Sequence, residues 1–227
     1  DLTFELRRSA ERTTVGVTVE RDGSLKLSAP EDCPIETVER VARDKRMWVH
    51  RKLAEKRRLN ESAVDKEYVS GESFWYLGRR HRLRVVDPDD FDDDIPPLGL
   101  YQGRFRLRDD CRRRARSHFI DWYTDHAEPW LTDRIDRWHA RMDVDLDTLH
   151  VRDLGNRWGS CNDRHLHFHW RTILLPPRIA DYVIVHELAH VHEPNHGDDF
   201  WRRVERAMPD YESRKQWLAE EGARFNC

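Results

Sequence analysis

The chain has 227 residues, enough for one large domain or two small ones, each able to bury a core. Its 40 lysines and arginines are balanced by 43 aspartates and glutamates, so the molecule as a whole has no field that attracts nucleic acid or anionic lipid. The balance of charges does not exclude a local basic patch. Nine Trp and eight Phe argue against a disordered chain, because such side chains need a core.

The sequence also bears on compartment and partners. No apolar stretch approaches the roughly 18 residues of a membrane helix and no signal peptide is recognisable, so we expect a cytoplasmic protein with no membrane partner. The four cysteines form no C-x-x-C pair, which argues against a disulfide framework or a cysteine zinc knuckle. Nothing in the sequence indicates the oligomeric state.

Strand patterns dominate the first part of the chain. Alternating apolar residues over 13–30 predict a β-meander, and helical spacing over 34–53 predicts one helix. Residues 68–86 read as two short strands around a glycine turn, followed by an acidic, proline-containing connection at 87–97. We therefore expect a β-rich N-terminal portion with one helix over residues 1–108.

The remaining residues, 109–227, are expected to form a second domain. Residues 110–142 have an aromatic-rich helical pattern, which Pro129 is expected to break or kink. A strand with a glycine-containing loop follows, and then residues 165–170 alternate histidines with apolar residues. From residue 178 the chain is apolar at helical spacing, which predicts a helix buried on most sides.

The end of this helix carries a metal-binding motif. His186, Glu187 and His190 form H-E-x-x-H, and four residues on a helix return to nearly the same face, so both imidazoles can share one cation. Glu187 lies about 100° round the helix and can reach a metal-bound water as general base. The spacing therefore indicates a catalytic metal site, with Zn²⁺ as the expected ion.

Catalytic zinc usually takes a third protein ligand, for which three residues compete. His192 lies about 160° from the mean direction of the motif histidines and faces away. Glu193 returns to the right face but sits about 7 Å too far along a straight helix. Pro194 disfavours helical geometry at Glu193, so the chain can fold back and deliver His196, which we prefer.

Three stretches carry a resemblance to a known family: "NRWGSC", "HFHWRTILLPP" and "DYVIVHELAHVHEPNHGDDFWRRVERAMPDY". They resemble the YgjP-like metallopeptidases, zincin-like proteins related to SprT-type proteases, strongly over about residues 150–220 and more weakly before. The resemblance implies zinc ligands at His186, His190 and His196 and a general base at Glu187. The spacing also matches the metzincin pattern, but Glu193 stands where that pattern needs glycine and no Met-turn is present.

The resemblance also places the "RWGSC" loop near the site. There Arg157 is a candidate to steady an oxyanion, while Trp158 is expected to pack and Gly159 to allow a tight turn. Tyr211 is a second candidate oxyanion donor. Zincin-like architecture would place residues 165–174 as a strand whose edge receives the substrate chain.

We therefore expect an α+β protein with an N-terminal β-rich portion and a C-terminal zincin-like metallohydrolase domain. Its function would be zinc-dependent hydrolysis of a peptide or protein. Alternatives are a metal-dependent nucleotide phosphohydrolase of the pyrophosphatase type, a DNA-associated SprT-like protease using the basic segments 40–58 and 111–117, and an adaptor whose metal only stabilises the fold. A cysteine nucleophile at Cys161 is a further alternative.

Overall fold

A computed structural model of the chain describes residues 2–10, 12–19, 23–60, 66–90 and 95–227, without the side chains of residues 54–60. Over these residues the chain forms six α-helices and three β-sheets, which confirms the mixed α+β class. The helices are α1 (Ile35–Asp44), α2 (Arg46–Asn60), α3 (Ala115–Met142), α4 (Pro177–His190), α5 (Asp198–Ala207) and α6 (Tyr211–Glu221). The strands are β1 (Phe4–Ser9), β2 (Gly16–Val19), β3 (Leu25–Pro30), β4 (Ser73–Tyr76), β5 (Arg79–Val86), β6 (Leu98–Tyr101), β7 (Arg104–Arg108), β8 (Thr148–Arg152), β9 (Gly159–Asn162) and β10 (His165–His169).

The chain divides into two compact units, residues 1–63 and residues 64–227. The boundary expected after residue 108 falls inside the second unit, because Phe105 on β7 packs against Phe119 on α3 with ring centroids 5.1 Å apart. Both rings are fully buried in one apolar core, so β7 and α3 are parts of one structure. Residues 91–94 of the acidic connection lie outside the described residues.

The first unit differs from a meander with one helix. Strand β3 pairs antiparallel with β2 but parallel with β1, so it occupies the centre of the sheet. Residues 20–22, between β2 and β3 in the chain, lie outside the described residues. The predicted helix is two helices, α1 and α2, because the sheet has two apolar patches. Val38 of α1 packs on the patch that contains Leu27 of β3. Val49 of α2 packs on the patch that contains Leu25 of the same strand.

The second unit begins with a four-stranded sheet in the order β4-β5-β7-β6. The β4–β5 turn at Gly78 has a positive φ of 75°, which glycine tolerates at no steric cost. The amides of Leu77 and Gly78 donate to the carbonyls of Ile173 and Leu174 at 2.8 and 2.9 Å. A Cβ at residue 78 would also lie 2.7 Å from Cα of Pro176, so this turn fixes the chain just before α4.

Helix α3 packs against α4. It continues through Pro129, where the sequence predicts a break or kink, because buried Ala127 and Leu131 hold the chain on the core on either side. Arg134 of α3 makes a bidentate ion pair with the buried Asp181 of α4, at 2.6 Å for each hydrogen bond. Over the described residues, no helix combines the length and the apolar character that crossing a membrane requires.

The third sheet has the order β8-β10-β9 and lies beside α4. Strand β10 is central, parallel to β8 and antiparallel to β9, and its Leu166 and Phe168 are fully buried. Both edges of β10 are therefore occupied, contrary to the expectation that this strand offers a free edge. The edge strand of this sheet next to α4 is β9.

Candidate metal centre

Helix α4 places His186, Glu187 and His190 in the lining of a cleft. Pro177 begins the helix, where a missing N–H costs nothing, and apolar residues bury it on most sides. The helix ends at His190, three residues before the predicted end at Glu193. The two histidines thus lie on the last turn of a helix held rigidly by its buried part.

The turn after α4 brings His196 back to the helix. Its Nε2 lies 3.0 Å from Nε2 of His186, and its ring centroid lies 4.6 Å from that of His190. One nitrogen from each of the three imidazoles falls within 4.8 Å of the others. Two nitrogens bound to one tetrahedral zinc ion at the usual bond length are about 3.3 Å apart, so this set of donors fits zinc.

The other two candidates for a third ligand, His192 and Glu193, make other contacts. Nε2 of the exposed His192 lies 2.9 Å from the backbone carbonyl of Asp143, well away from the motif histidines as helical geometry predicts. Glu193 contributes its backbone carbonyl, which lies 3.0 Å from Nδ1 of His190. A carbonyl only accepts, so Nδ1 carries the proton and Nε2 of His190 keeps a free lone pair for a cation.

The three imidazoles are shielded by aromatic side chains of α5. The ring of buried Phe200 lies 5.0 Å from that of His186 and 4.6 Å from each of those of His190 and His196. Burial, the neighbouring histidines and Lys215 lower the pKa of His186 to about 3. Burial, His190 and Lys215 also lower the pKa of His196. Both rings are therefore neutral at neutral pH, as metal ligation requires.

Glu187 is the buried carboxyl group of the cleft. Burial raises its pKa to about 8, and the nearby Arg157 guanidinium opposes this rise. Its side chain lies against Gly159 of β9: a Cβ at that position would be 2.6 Å from Cγ and 2.7 Å from Oε1 of Glu187. Gly159 thus belongs to a strand and makes room for the carboxylate, whereas the sequence predicts that it serves a tight turn.

The cleft has a volume of about 630 Å³, within the range of about 300–1,000 Å³ that small-ligand sites occupy. It is lined by α4, by β9 and the residues before it, by the turn after α4 and by one residue of α6; these include Arg157, Ser160, Cys161, Tyr182, Pro194 and Leu218. The lining therefore combines the edge strand β9 with the last turns of α4.

Of the two candidates for oxyanion stabilisation, only Arg157 is among the residues that line the cleft. Arg157 is exposed and lines the cleft. Tyr211 is not among the residues that line it: its ring stacks on Trp201 at 5.4 Å and its hydroxyl lies 3.5 Å from Oε1 of Glu212. Trp158 packs as expected, with its ring against Gly222 at the end of α6.

Two residues near the histidines, Tyr182 and Lys215, were not predicted from the sequence as part of the site. Tyr182 lines the cleft, and burial, Glu187 and Tyr211 raise its pKa to about 12. It lies four residues before His186 on the same helical face, so spacing was a usable signal. Lys215 lies over the Trp201 ring at 3.8 Å and its charge lowers the pKa values of His186 and His196, but no sequence pattern indicated it.

Cys161 does not have the surroundings of a nucleophile. Burial, Glu187 and Asp163 raise the pKa of its thiol to about 11, and Sγ lies 3.2 Å from the carbonyl of Asp163. A reactive cysteine needs a low pKa and a nearby cation, whereas the raised pKa keeps this thiol protonated at neutral pH.

Comparison with known proteins identifies the class. A model of the YgjP-like metallopeptidase domain matches residues 13–221, a span that includes most of both compact units. The protein is therefore a metallopeptidase. The chain belongs to the YgjP-like metallopeptidase family.

Among solved structures, the chain is similar to the crystal structure of the metallopeptidase zymogen of Pyrococcus abyssi abylysin, with 18% sequence identity and a TM-score of 0.36, covering 38% of this chain and 90% of that one. No curated protein sequence matches the chain significantly.

Proposed function

We propose that the protein is a zinc-dependent peptidase whose metal ligands are His186, His190 and His196. The observation that carries the proposal is the convergence of the three imidazoles, with Nε2 of His186 and Nε2 of His196 only 3.0 Å apart. Three histidines without a fourth protein ligand are typical of catalytic zinc, which keeps one position for water or substrate. Zn²⁺ bound there would supply Lewis-acid activation of a water molecule and of the substrate carbonyl.

The residues around this site have separate roles in the proposal. Glu187 accepts the proton of the attacking water on a carboxylate oxygen and returns it to the leaving amine. Gly159 keeps that carboxylate in place by contact with its side chain. Arg157, which is exposed and lines the cleft, favours the ionised form of Glu187 and is the proposed stabiliser of the developing oxyanion.

Two tyrosines are further candidates for oxyanion stabilisation. Tyr182 has the stronger support, since it lines the cleft and its ring centroid lies 5.9 Å from that of His186. Tyr211 has weaker support, because its hydroxyl points to Glu212. A Tyr182→Phe variant with lower kcat and unchanged KM would favour a role in the transition state.

The substrate is proposed to bind as an extended peptide along β9. This strand is at the edge of its sheet and lines the cleft with Gly159 and Ser160. A peptide added to a sheet edge gains main-chain hydrogen bonds whatever its sequence, and its alternate side chains meet the cleft. The sequence predicts that the substrate adds to the strand at residues 165–174. We propose that it adds to β9 instead.

Metal content and turnover test this proposal in one set of variants. Protein purified without added metal is analysed for its elements and assayed on casein and on a peptide library, with nucleotides included to detect release of phosphate or pyrophosphate. His196→Ala is expected to lose most zinc and all peptidase activity. Glu187→Gln is expected to keep zinc and lose at least about 100-fold in kcat, as expected for removal of a general base.

Two neighbouring variants serve as controls. His192→Ala removes a histidine two residues from His190 that faces Asp143, and it should keep zinc and activity. Glu193→Ala keeps the carbonyl that orients His190 and should also keep zinc. Zinc content indifferent to His196→Ala, or nucleotide hydrolysis in place of peptide cleavage, would overturn the proposal.

A further inference from the structure

The outer face of the four-stranded sheet is rich in arginine. Outward positions of β5 and β7 carry Arg80, Arg82, Arg84, Arg104, Arg106 and Arg108, which we call the arginine face. The alternate positions point inward, where Leu83, Phe105 and Leu107 are buried in the core. Two strands thus place apolar residues on one side and guanidinium groups on the other.

Four members of the arginine face are exposed: Arg80, Arg82, Arg84 and Arg104. Arg108 is bound to Asp110 at 2.6 Å, and Arg106 lies over the ring of Tyr101. Among the described residues, no carboxylate pairs with Arg82, Arg84 or Arg104.

The register of the strands puts like charges side by side. Arg82 is the partner of Arg104, and Arg84 is the partner of Arg106, on parallel strands about 4.8 Å apart. Within β5 the outward arginines follow one another at about 6.6 Å. Like charges on neighbouring strands are destabilising, and the net charge of the chain is −3, so overall basic composition does not account for this concentration.

Aromatic rings lie among the guanidinium groups. Tyr101 of β6 is 40% exposed, and a Cβ at Gly99 would be only 2.5 Å from Tyr101 Cε2. The Arg106 guanidinium stacks on this ring at 4.9 Å. On the opposite edge of the sheet, Arg80 stacks on Trp75 at 4.8 Å. The face therefore combines cationic groups with flat surfaces.

We propose that the arginine face binds single-stranded nucleic acid. Guanidinium groups form bidentate hydrogen bonds with phosphate, and their planes, like that of Tyr101, stack on unpaired bases. The repeat of charges along β5 and the exposed ring favour a single strand over an acidic peptide, which has no bases to stack. None of these residues lines the cleft of the metal centre, so the inference does not depend on the proposed peptidase activity.

Fluorescence anisotropy of the full chain with labelled oligonucleotides tests the inference. The probes are 20-nucleotide dT and rU strands and a duplex of equal length, titrated from 50 to 300 mM salt. Binding of the single strands is expected to weaken with salt, with a slope of log K against log salt of about −0.7 for each phosphate contacted. The triple variant Arg82→Thr, Arg84→Thr, Arg104→Thr is expected to lose at least about tenfold in affinity and about two units of slope.

The matched control removes three other exposed arginines, Arg112, Arg113 and Arg114, as a triple threonine variant. It makes the same change in net charge and should retain most of the affinity. Tyr101→Ala should weaken the single-strand complexes by about tenfold and leave the salt slope unchanged, as expected for loss of stacking. Thermal unfolding and zinc content should be normal in all three variants.

Other outcomes overturn the inference. Absence of single-strand binding at 50 mM salt, or equal losses in the two triple variants, would remove the arginine face as a nucleic-acid site. Tighter binding of the duplex, or complete displacement of the strands by poly-glutamate at equal charge concentration, would assign the face to another partner.

Discussion

Gly159 of β9 and Glu187 of α4 are in such close contact that a Cβ at residue 159 would lie 2.6 Å from Cγ of Glu187. Real Cβ atoms do not approach other atoms so closely, so any other residue at 159 has to displace the carboxyl side chain. This contact joins the edge strand of the cleft to the residue proposed as general base. The position of the carboxylate therefore depends on a glycine 28 residues earlier in the chain.

The first prediction follows from that contact. Gly159→Ala is expected to bind zinc normally but to lose about 100-fold in kcat, because displacement of a reacting group by about 1 Å costs that much. Steady-state kinetics together with elemental analysis measures both effects. Gly16→Ala is the control, since its Cβ would meet only the flexible end of Arg12. Full activity in Gly159→Ala would show that the contact does not position Glu187.

Removal of the metal separates a catalytic centre from a structural one. The apolar core of the second unit is made of helices and strands that do not depend on the three histidines, so the chelated protein is expected to stay folded. Zinc at about 100 times its Kd should then add about 2.7 kcal/mol to the free energy of unfolding. Thermal unfolding should show this rise in the wild type and a much smaller one in His196→Ala. Unfolding on chelation would instead favour a metal that stabilises the fold.

A third prediction concerns the metal-free protein between pH 6.5 and 8. Burial raises the pKa of Glu187 from 4.5 to about 8, so the folded state keeps a proton that the unfolded state has already released. Stability from this group is therefore lost as pH rises. The lowered pKa of His186 acts in the opposite direction, but only between about 3 and 6.5.

Denaturant unfolding of the chelated protein at several pH values tests this prediction. The stability of Glu187→Gln relative to wild type should increase by about 1–2 kcal/mol from pH 6.5 to 8. The same substitution at the exposed Glu205 is the surface control. If the free energies of unfolding of Glu187→Gln and wild type change with pH in parallel, the pKa of Glu187 is not raised as stated.

The ion pair between Arg134 and Asp181 should be important for the stability of α4. Their side chains are only 18% and 11% exposed, so Arg134→Ala leaves a largely buried carboxylate without its partner. We expect a loss of about 3 kcal/mol in the free energy of unfolding. The surface pair Arg202–Asp199, with side chains 66% and 73% exposed, is the comparison, and Arg202→Ala should cost less than about 1 kcal/mol. Chemical denaturation gives both values. Similar losses in the two variants would contradict the prediction that the buried pair contributes more to the free energy of unfolding than the exposed pair.

Local sequence was informative about the helices of the second unit and the motif on α4. Periodicity predicted the helical regions of α3 and α4, and the H-E-x-x-H spacing predicted that His186 and His190 share a helical face. Pro194 predicted the change of direction that brings His196 close, although the helix ends three residues earlier than expected. These features depend on neighbours a few residues apart, so the sequence contains them directly.

Strand order and domain limits were not predictable in this way. The sequence placed a boundary after residue 108, because the hairpin of β6 and β7 has no clear signal beside the acidic connection. Only the pairing of β7 with β5 and the burial of Phe105 against α3 assign this hairpin to the second unit. In the same way, strand alternation over residues 165–170 gives no information about which strands lie on either side.

The sequence by itself determined the type of donors, their helical spacing and the family to which they point, because these depend on residue identity and short-range geometry. Only the tertiary structure decided that β9 rather than β10 is the edge strand, that Gly159 faces Glu187, that Tyr182 lines the cleft and that arginines of two strands form one face. Each of these depends on packing between residues far apart in the chain, which the local pattern of a single strand or helix does not specify.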